Sequence, residues 1–183
     1  VAATLAFSTI QNNDKVGVIF FSDKIEKYIP AQKGKTHVLH IIRELLSFEP
    51  TSSGTDIAGA LEYFARAQKR RCTAFLISDF IGAGSLDKPL MIAGNRHEIN
   101  AIQIYDRREA EMPDIGLVKF RDAETGRDVW ADTALASVRN AYAEAWRKSE
   151  GEWDTLLTKL GINHIAVRTD EDYVKALMHL FKC

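Results

Sequence analysis

Thr73-Ala74-Phe75-Leu76-Ile77-Ser78-Asp79-Phe80 is the stretch that decides the fold. Thr73 to Ile77 carries apolar residues without a polar alternation, and Lys69-Arg70-Arg71 precede it. A short continuous apolar run bounded by charge reads as a strand buried on both faces. Working outward, Val16 to Phe21 and Ile99 to Tyr105 read the same way, and Ile162–Val167 is a last, shorter strand. Helical spacing fills the intervals. It covers residues 2–11, the stripe Val38, Ile41, Ile42, Leu45 and Leu46, and a helix from about Thr55 to Lys69. It continues in a short helix near Leu86–Ala93, a long one from about Leu135 to Leu160, and a closing one over Tyr173–Phe181. Strands alternating with helices imply crossover connections and an α/β fold with a mainly parallel sheet covered on both faces.

Smaller features refine this pattern. Ile25 to Ile29 alternates like an edge strand, with Pro30 ending it. Thr36 is placed to cap the helix that follows. Gly151 is a candidate bend or break in the long helix. Leu117–Phe120 and Asp128–Trp130 flank Ala123-Glu124-Thr125-Gly126, a hairpin signature with glycine available for positive φ. The organisation expected is a single domain over 1–183 with a hairpin insertion at 115–131.

Composition bounds the function. The chain has 183 residues, 46% hydrophobic and 27% charged, with a net charge of −1. Those are the proportions of a globular domain, and the charge balance gives no footprint for nucleic acid or an anionic membrane surface. No apolar run approaches the roughly 20 residues that span a bilayer. The two cysteines, Cys72 and Cys183, make no disulfide framework, so a reducing, cytoplasmic setting is expected. The parent protein is left open to a membrane anchor upstream of Val1.

Two motifs carry the chemistry. Gly54-Thr55-Asp56-Ile57 opens a helix, and Ser78-Asp79 closes a strand. In an open α/β sheet both positions fall at the carboxyl edge, where ligands bind. A threonine hydroxyl and an aspartate carboxylate are hard oxygen donors suited to Mg²⁺ or Mn²⁺, with Ser78 a candidate for supporting hydrogen bonds. Asp23 and Asp56 are further acids for that edge. The plain alternatives are a helix cap for Thr55 and a turn for Asp79.

Other signals are weaker. Gly34-Lys35-Thr36 echoes a phosphate loop, but the glycine needed five residues earlier is Ile29. His37 and His40 share a helical face without a third ligand at zinc spacing. His97 beside Glu98 reads as structural, nothing in the sequence pairs Cys72 with a base, and Trp146 and Trp153 read as packing residues. Arg107-Arg108 with Glu109 and Glu111 read as a solvated charge cluster.

The two motifs, in their order and spacing, resemble two parts of the metal-ion-dependent adhesion site of von Willebrand factor A-like domains. More closely, the chain resembles the carboxyl-terminal part of the bacterial domain of unknown function 58 family. The resemblance runs from Asn13-Asp14-Lys15-Val16-Gly17 through Ser53-Gly54-Thr55-Asp56-Ile57 and Leu76-Ile77-Ser78-Asp79-Phe80. It continues in Arg96-His97-Glu98-Ile99, Asp106 to Pro113, and Asp122-Ala123-Glu124-Thr125-Gly126. The family's Asp-x-Ser-x-Ser run, on an earlier central strand, is not among these residues. What the resemblance implies is a domain lacking its first central strand, with an incomplete metal site at Thr55 and Asp79. Mg²⁺ or Mn²⁺ would bind in the intact parent and not in this segment alone. It further implies a non-enzymatic protein–protein interaction module working with a MoxR-type ATPase. The rival reading is a divalent-metal hydrolase on a similar sheet. The gap left by the strand is expected to close, by direct pairing of its neighbours or by a second copy in a homodimer.

Overall fold

A computed structural model describes residues 1–121 and 127–181. They fall into two compact units: Val1–Arg70 with Gly82–Ala93, and Arg71–Ile81 with Gly94–Cys183.

In the first unit, α1 (Ala2–Gln11) leads to β1 (Val16–Phe21), which pairs antiparallel with β2 (Ile25–Gln32). Helices α2 (Lys35–Ser47) and α3 (Ile57–Ala67) follow. The core gathers Ala6, Ile29, Val38 and Ile41, with Ile10, Val16, Val18, Phe20, Ile42 and Leu45 packed against them. Of the stripe read for α2, Leu46 is the exception and is exposed.

Two local expectations are corrected here. β2 does not end at Pro30 but runs to Gln32. The register passes from Val18↔Ile29 to Val16↔Gln32, so Pro30 and Ala31 together oppose Gly17. That is a bulge, where a residue without an N–H removes no ladder bond. Gly17 is required there, since a β-carbon would come within 2.7 Å of the Ile29 carbonyl oxygen and 2.8 Å of the Ala31 nitrogen. Thr36 does not cap α2; Gly34 does, at φ 104°, a backbone region that glycine enters without steric cost.

The second unit holds a parallel three-stranded sheet. Its strands are β3 (Thr73–Ser78), β4 (Glu98–Tyr105) and β7 (Asn163–Arg168), in the order β3-β4-β7. The helix α4 (Asp87–Arg96), most of which belongs to the first unit, lies between β3 and β4 in the chain. Between β4 and β7 come α5 (Arg107–Ala110), the antiparallel pair β5 (Leu117–Arg121) and β6 (Asp128–Asp132), and α6 (Ala136–Lys159). The chain closes with α7 (Tyr173–Leu180). Leu76, Ile99, Ala101, Ile102, Leu157, Val167 and Leu177 are buried. The two strands of the expected hairpin are present, while its turn at Ala123 to Gly126 lies outside the described residues. α6 runs unbroken through Gly151. The tryptophans pack as read, Trp146 against Tyr105 and Trp153 against Phe80.

The architecture is therefore α/β with a parallel sheet and antiparallel strand pairs. Among the described residues β1 pairs only with β2, and β3 only with β4. Direct pairing of β1 with β3, one of the two closures expected for the gap, does not occur. No helix among the described residues is long and apolar enough to cross a membrane.

Candidate functional site

Asp79 follows the last residue of β3, at the carboxyl end of the parallel sheet, and its side chain is exposed. The loop around it is held by short-range bonds. The Asp79 Oδ1 accepts the Ile81 N–H at 3.1 Å, and the Ser78 hydroxyl lies 3.4 Å from the same oxygen. Ser78 Oγ in turn accepts the Phe80 N–H at 3.1 Å. From β4, the Gln103 side-chain amide approaches the Asp79 carbonyl oxygen at 3.5 Å. Ser78 thus lies beside the Asp79 carboxylate, and Asp79 makes the turn of the plain reading.

Phe80 is the unexpected member of this loop. Its φ is +59°, a left-handed conformation that a bulky residue adopts only when its surroundings impose it. The cause is packing. Phe80 is 4% exposed and its ring centroid lies 5.2 Å from that of Trp153 on α6. The preceding residue, Asp79, stays exposed beside this buried ring. No sequence signal short of the tertiary contact announces this.

The other motif lies in the first unit. Thr55 is half-buried, and Asp56 is the N-cap of α3, with its carboxylate accepting the Gly59 N–H at 2.8 Å. The hydroxyl of Thr55 is therefore not spent on capping. The Asp56 N–H donates to the Ser22 carbonyl at 2.8 Å, which ties the start of α3 to the turn after β1. Gly54 sits against Asp23: a β-carbon there would meet that of Asp23 at 3.2 Å. Within this unit the structure brings Asp23, Gly54, Thr55 and Asp56 into one neighbourhood. Glu26 beside it accepts the buried Ser22 hydroxyl at 2.8 Å and the Thr51 hydroxyl at 2.7 Å. Hydrogen bonds from Thr51, then Ser22, hold its carboxyl below the usual range.

The donors fit a hard cation by type. By number they fall short, because among the described residues no three His, Cys, Asp or Glu side chains gather to hold a metal ion. Thr55 belongs to the first unit, Ser78 and Asp79 to the second.

One pairing escaped the sequence reading, which found no base for Cys72. At the head of β3, the end opposite Asp79, Cys72 Sγ lies 3.7 Å from His97 Nδ1. The parallel register that puts Thr73 opposite Glu98 brings them together. Burial pushes the Cys72 thiol up, and burial, helped by Arg96 and Arg71, pushes His97 down. Both shifts favour the uncharged forms, which is the opposite of an activated thiolate–imidazolium pair. The contact is structural. His37 and His40 also take ordinary roles, His37 Nε2 on the Val16 carbonyl at 2.8 Å and His40 beside Glu44 at 3.8 Å. The charged run at 107–111 hides α5. Asp106 caps it, and Glu109 completes a capping box. The Asp-x-x-Glu spacing was the signal for that helix.

Comparison with known proteins places this arrangement. An uncharacterized protein of Mycobacterium avium is 31% identical over 158 residues, covering 84% of this chain and 92% of that protein. An uncharacterized protein of Mycobacterium tuberculosis is 29% identical over 177 residues, 94% of this chain and 55% of that protein. The chain thus spans about half the length of the latter. Among solved structures, conserved hypothetical protein BatB from Bacteroides thetaiotaomicron superposes with a TM-score of 0.59 at 17% identity, over 99% of this chain and 85% of that one. An aerotolerance-related membrane protein from Bacteroides fragilis gives 0.60 at 18%, over 100% and 87%. At those identities the likeness is one of fold. A family model described as "Protein of unknown function DUF58" matches residues 1–152, and the chain belongs to that family.

Proposed function

We propose that this chain is a non-enzymatic protein–protein interaction module whose contact edge includes the Asp79 loop. The observation that carries the reading is the loop itself. An exposed carboxylate stands at the carboxyl end of β3, next to a strained Phe80 anchored on Trp153. Strain of this kind costs about 1–3 kcal/mol and persists where the surroundings over-determine it. A loop that only had to turn the chain would be served by glycine at that position.

On this reading Thr55 and Asp79 are two hard-oxygen ligands of an Mg²⁺ or Mn²⁺ site of the von Willebrand A type. In a protein of the longer relatives' length, the remaining ligands would come from outside these 183 residues. The cation would supply an open coordination position for a carboxylate of the partner. A MoxR-type ATPase is the partner class that the family resemblance suggests.

The test uses the intact parent protein, with Asp79→Ala, in a pull-down against its MoxR-type ATPase with Mg²⁺ or with a chelator. Association is expected to fall with either treatment while the fold, followed by circular dichroism, is kept. Association that ignores both the substitution and the chelator sinks the proposal.

A further inference from the structure

A second surface in the second unit owes nothing to Asp79. Between α5, the following Met112-Pro113 segment, the β5–β6 pair and α6 lies a cavity of about 320 Å³. That is at the small end for ligand sites. Its walls are mostly apolar: Met112, Pro113, Ile115, Phe120 and the ring of Tyr142.

The polar groups in the wall are already used. Thr133 is fully buried; its hydroxyl donates to the Gly116 carbonyl at 2.7 Å and accepts the Ile115 N–H at 3.0 Å. The Tyr142 hydroxyl reaches the Arg108 carbonyl at 3.4 Å, which ties α6 to α5. The one charge in the lining is the exposed side chain of Arg108. Its neighbour Arg107 is paired with Glu111 at 3.1 Å, whereas no carboxylate among the described residues forms a salt bridge with Arg108. Of the nearby acids, Asp106 feels the Arg108 guanidinium but accepts the Arg108 backbone N–H at 2.8 Å and the Thr169 hydroxyl at 3.1 Å, Glu109 completes the cap, and Asp114 pairs with Arg139 at 3.3 Å.

The surroundings continue the apolar character. Ile115 and Val129 are each more than 60% exposed. The pairing of Phe120 with Val129 and of Val118 with Ala131 gives the β5–β6 pair one apolar face. Its other face carries the ion pairs of Lys119 and Arg121 with Asp128. Apolar exposure concentrated in this way marks interaction surfaces more often than it occurs by chance, and arginine beside aromatic residues is the composition of interface centres.

We propose that this cavity docks a protein segment bearing one bulky apolar side chain with an Asp or Glu beside it. The apolar side chain fills the cavity, and the carboxylate pairs with Arg108. Charge complementarity selects this occupant: an apolar segment alone makes no ion pair with the guanidinium, and a basic one repels it.

The experiment presents the whole chain to immobilised hexapeptides in which Leu, Phe or Trp is flanked by Glu, Gln or Lys. Glu-flanked peptides are expected to retain the chain on the order of tenfold better than Lys-flanked ones, as one charged hydrogen-bonded contact implies. Arg108→Gln should erase that preference and Arg108→Glu should reverse it. Ile115→Ser should weaken retention of every apolar peptide, with circular dichroism confirming that each variant folds. Equal retention of Glu- and Lys-flanked peptides, retention of none, or a preference that survives Arg108→Gln overturns the proposal. Binding of decanoate in place of the peptides would assign the cavity to a lipid chain and overturn it as well.

Discussion

At the scale of single residues, the decisive features are those where packing overrides local preference. Phe80 accepts a left-handed backbone because burying its ring, worth about 1.5–3 kcal/mol, offsets the strain. His97 is held in the same way. It is 2% exposed, and burial, then Arg96 and Arg71, lower its pKa. The unfolded chain takes up a proton near the ordinary histidine value of about 6.5, and the folded chain does so only at lower pH. Stability present above about pH 6.5 is therefore lost as the pH falls toward the folded value. Urea midpoints at pH 7.5 and 5.5 should show this fall in the native chain and a smaller one in His97→Gln; equal falls would refute it. Asp106, held low by the Arg108 N–H and Thr169, adds its own loss only in the carboxylate range.

Elements were legible where their residues reported a purely local pattern. Thr73 to Ile77 and Val16 to Phe21 read as strands, and the structure has strands there, though only Leu76 among those residues is buried and the rest are half-buried or exposed. What escaped depended on a distant partner. Pro30 reads as a stop until the bulge opposite Gly17 is known, and Cys72 reads as a lone thiol until a parallel register sets it beside His97. Thr36 lost the capping position to a glycine whose φ no composition announces. The candidate site divides along the same line. Ser78 and Asp79, adjacent in sequence, were readable as a unit, whereas the Phe80–Trp153 contact that strains the same loop was not. Within α6, Gly151 was read as a weak point, and the helix passes through it with open space where a β-carbon would go. Gly151→Ala should therefore raise stability by about 0.5–1 kcal/mol, through helix propensity alone. Thermal unfolding followed at 222 nm checks it, and a lowered midpoint would mean that the residue serves a bend in solution.

For the molecule as a whole, the strand pairing matters most. β1 and β3 are apolar strands, each with a ladder on one side only among the described residues. A one-sided apolar strand is a template for another chain. We propose a homodimer in which a second copy supplies the missing neighbour, and multi-angle light scattering across a concentration series should show a mass rising toward twice 20.5 kDa. A constant monomer mass at high concentration would refute it.

The same one-sidedness sets a rhythm in time. Over residues 100–103 β4 has both neighbours, and its successive amides alternate between β3 and β7. In β3 only alternate amides have β4 to donate to; those between them face the unladdered side. Deuterium should therefore enter β3 at every second residue, early and then late, while β4 resists at every residue over 100–103. A second copy seated on β3 would silence the early beats, so the exchange pattern of one six-residue strand registers whether the molecule is alone.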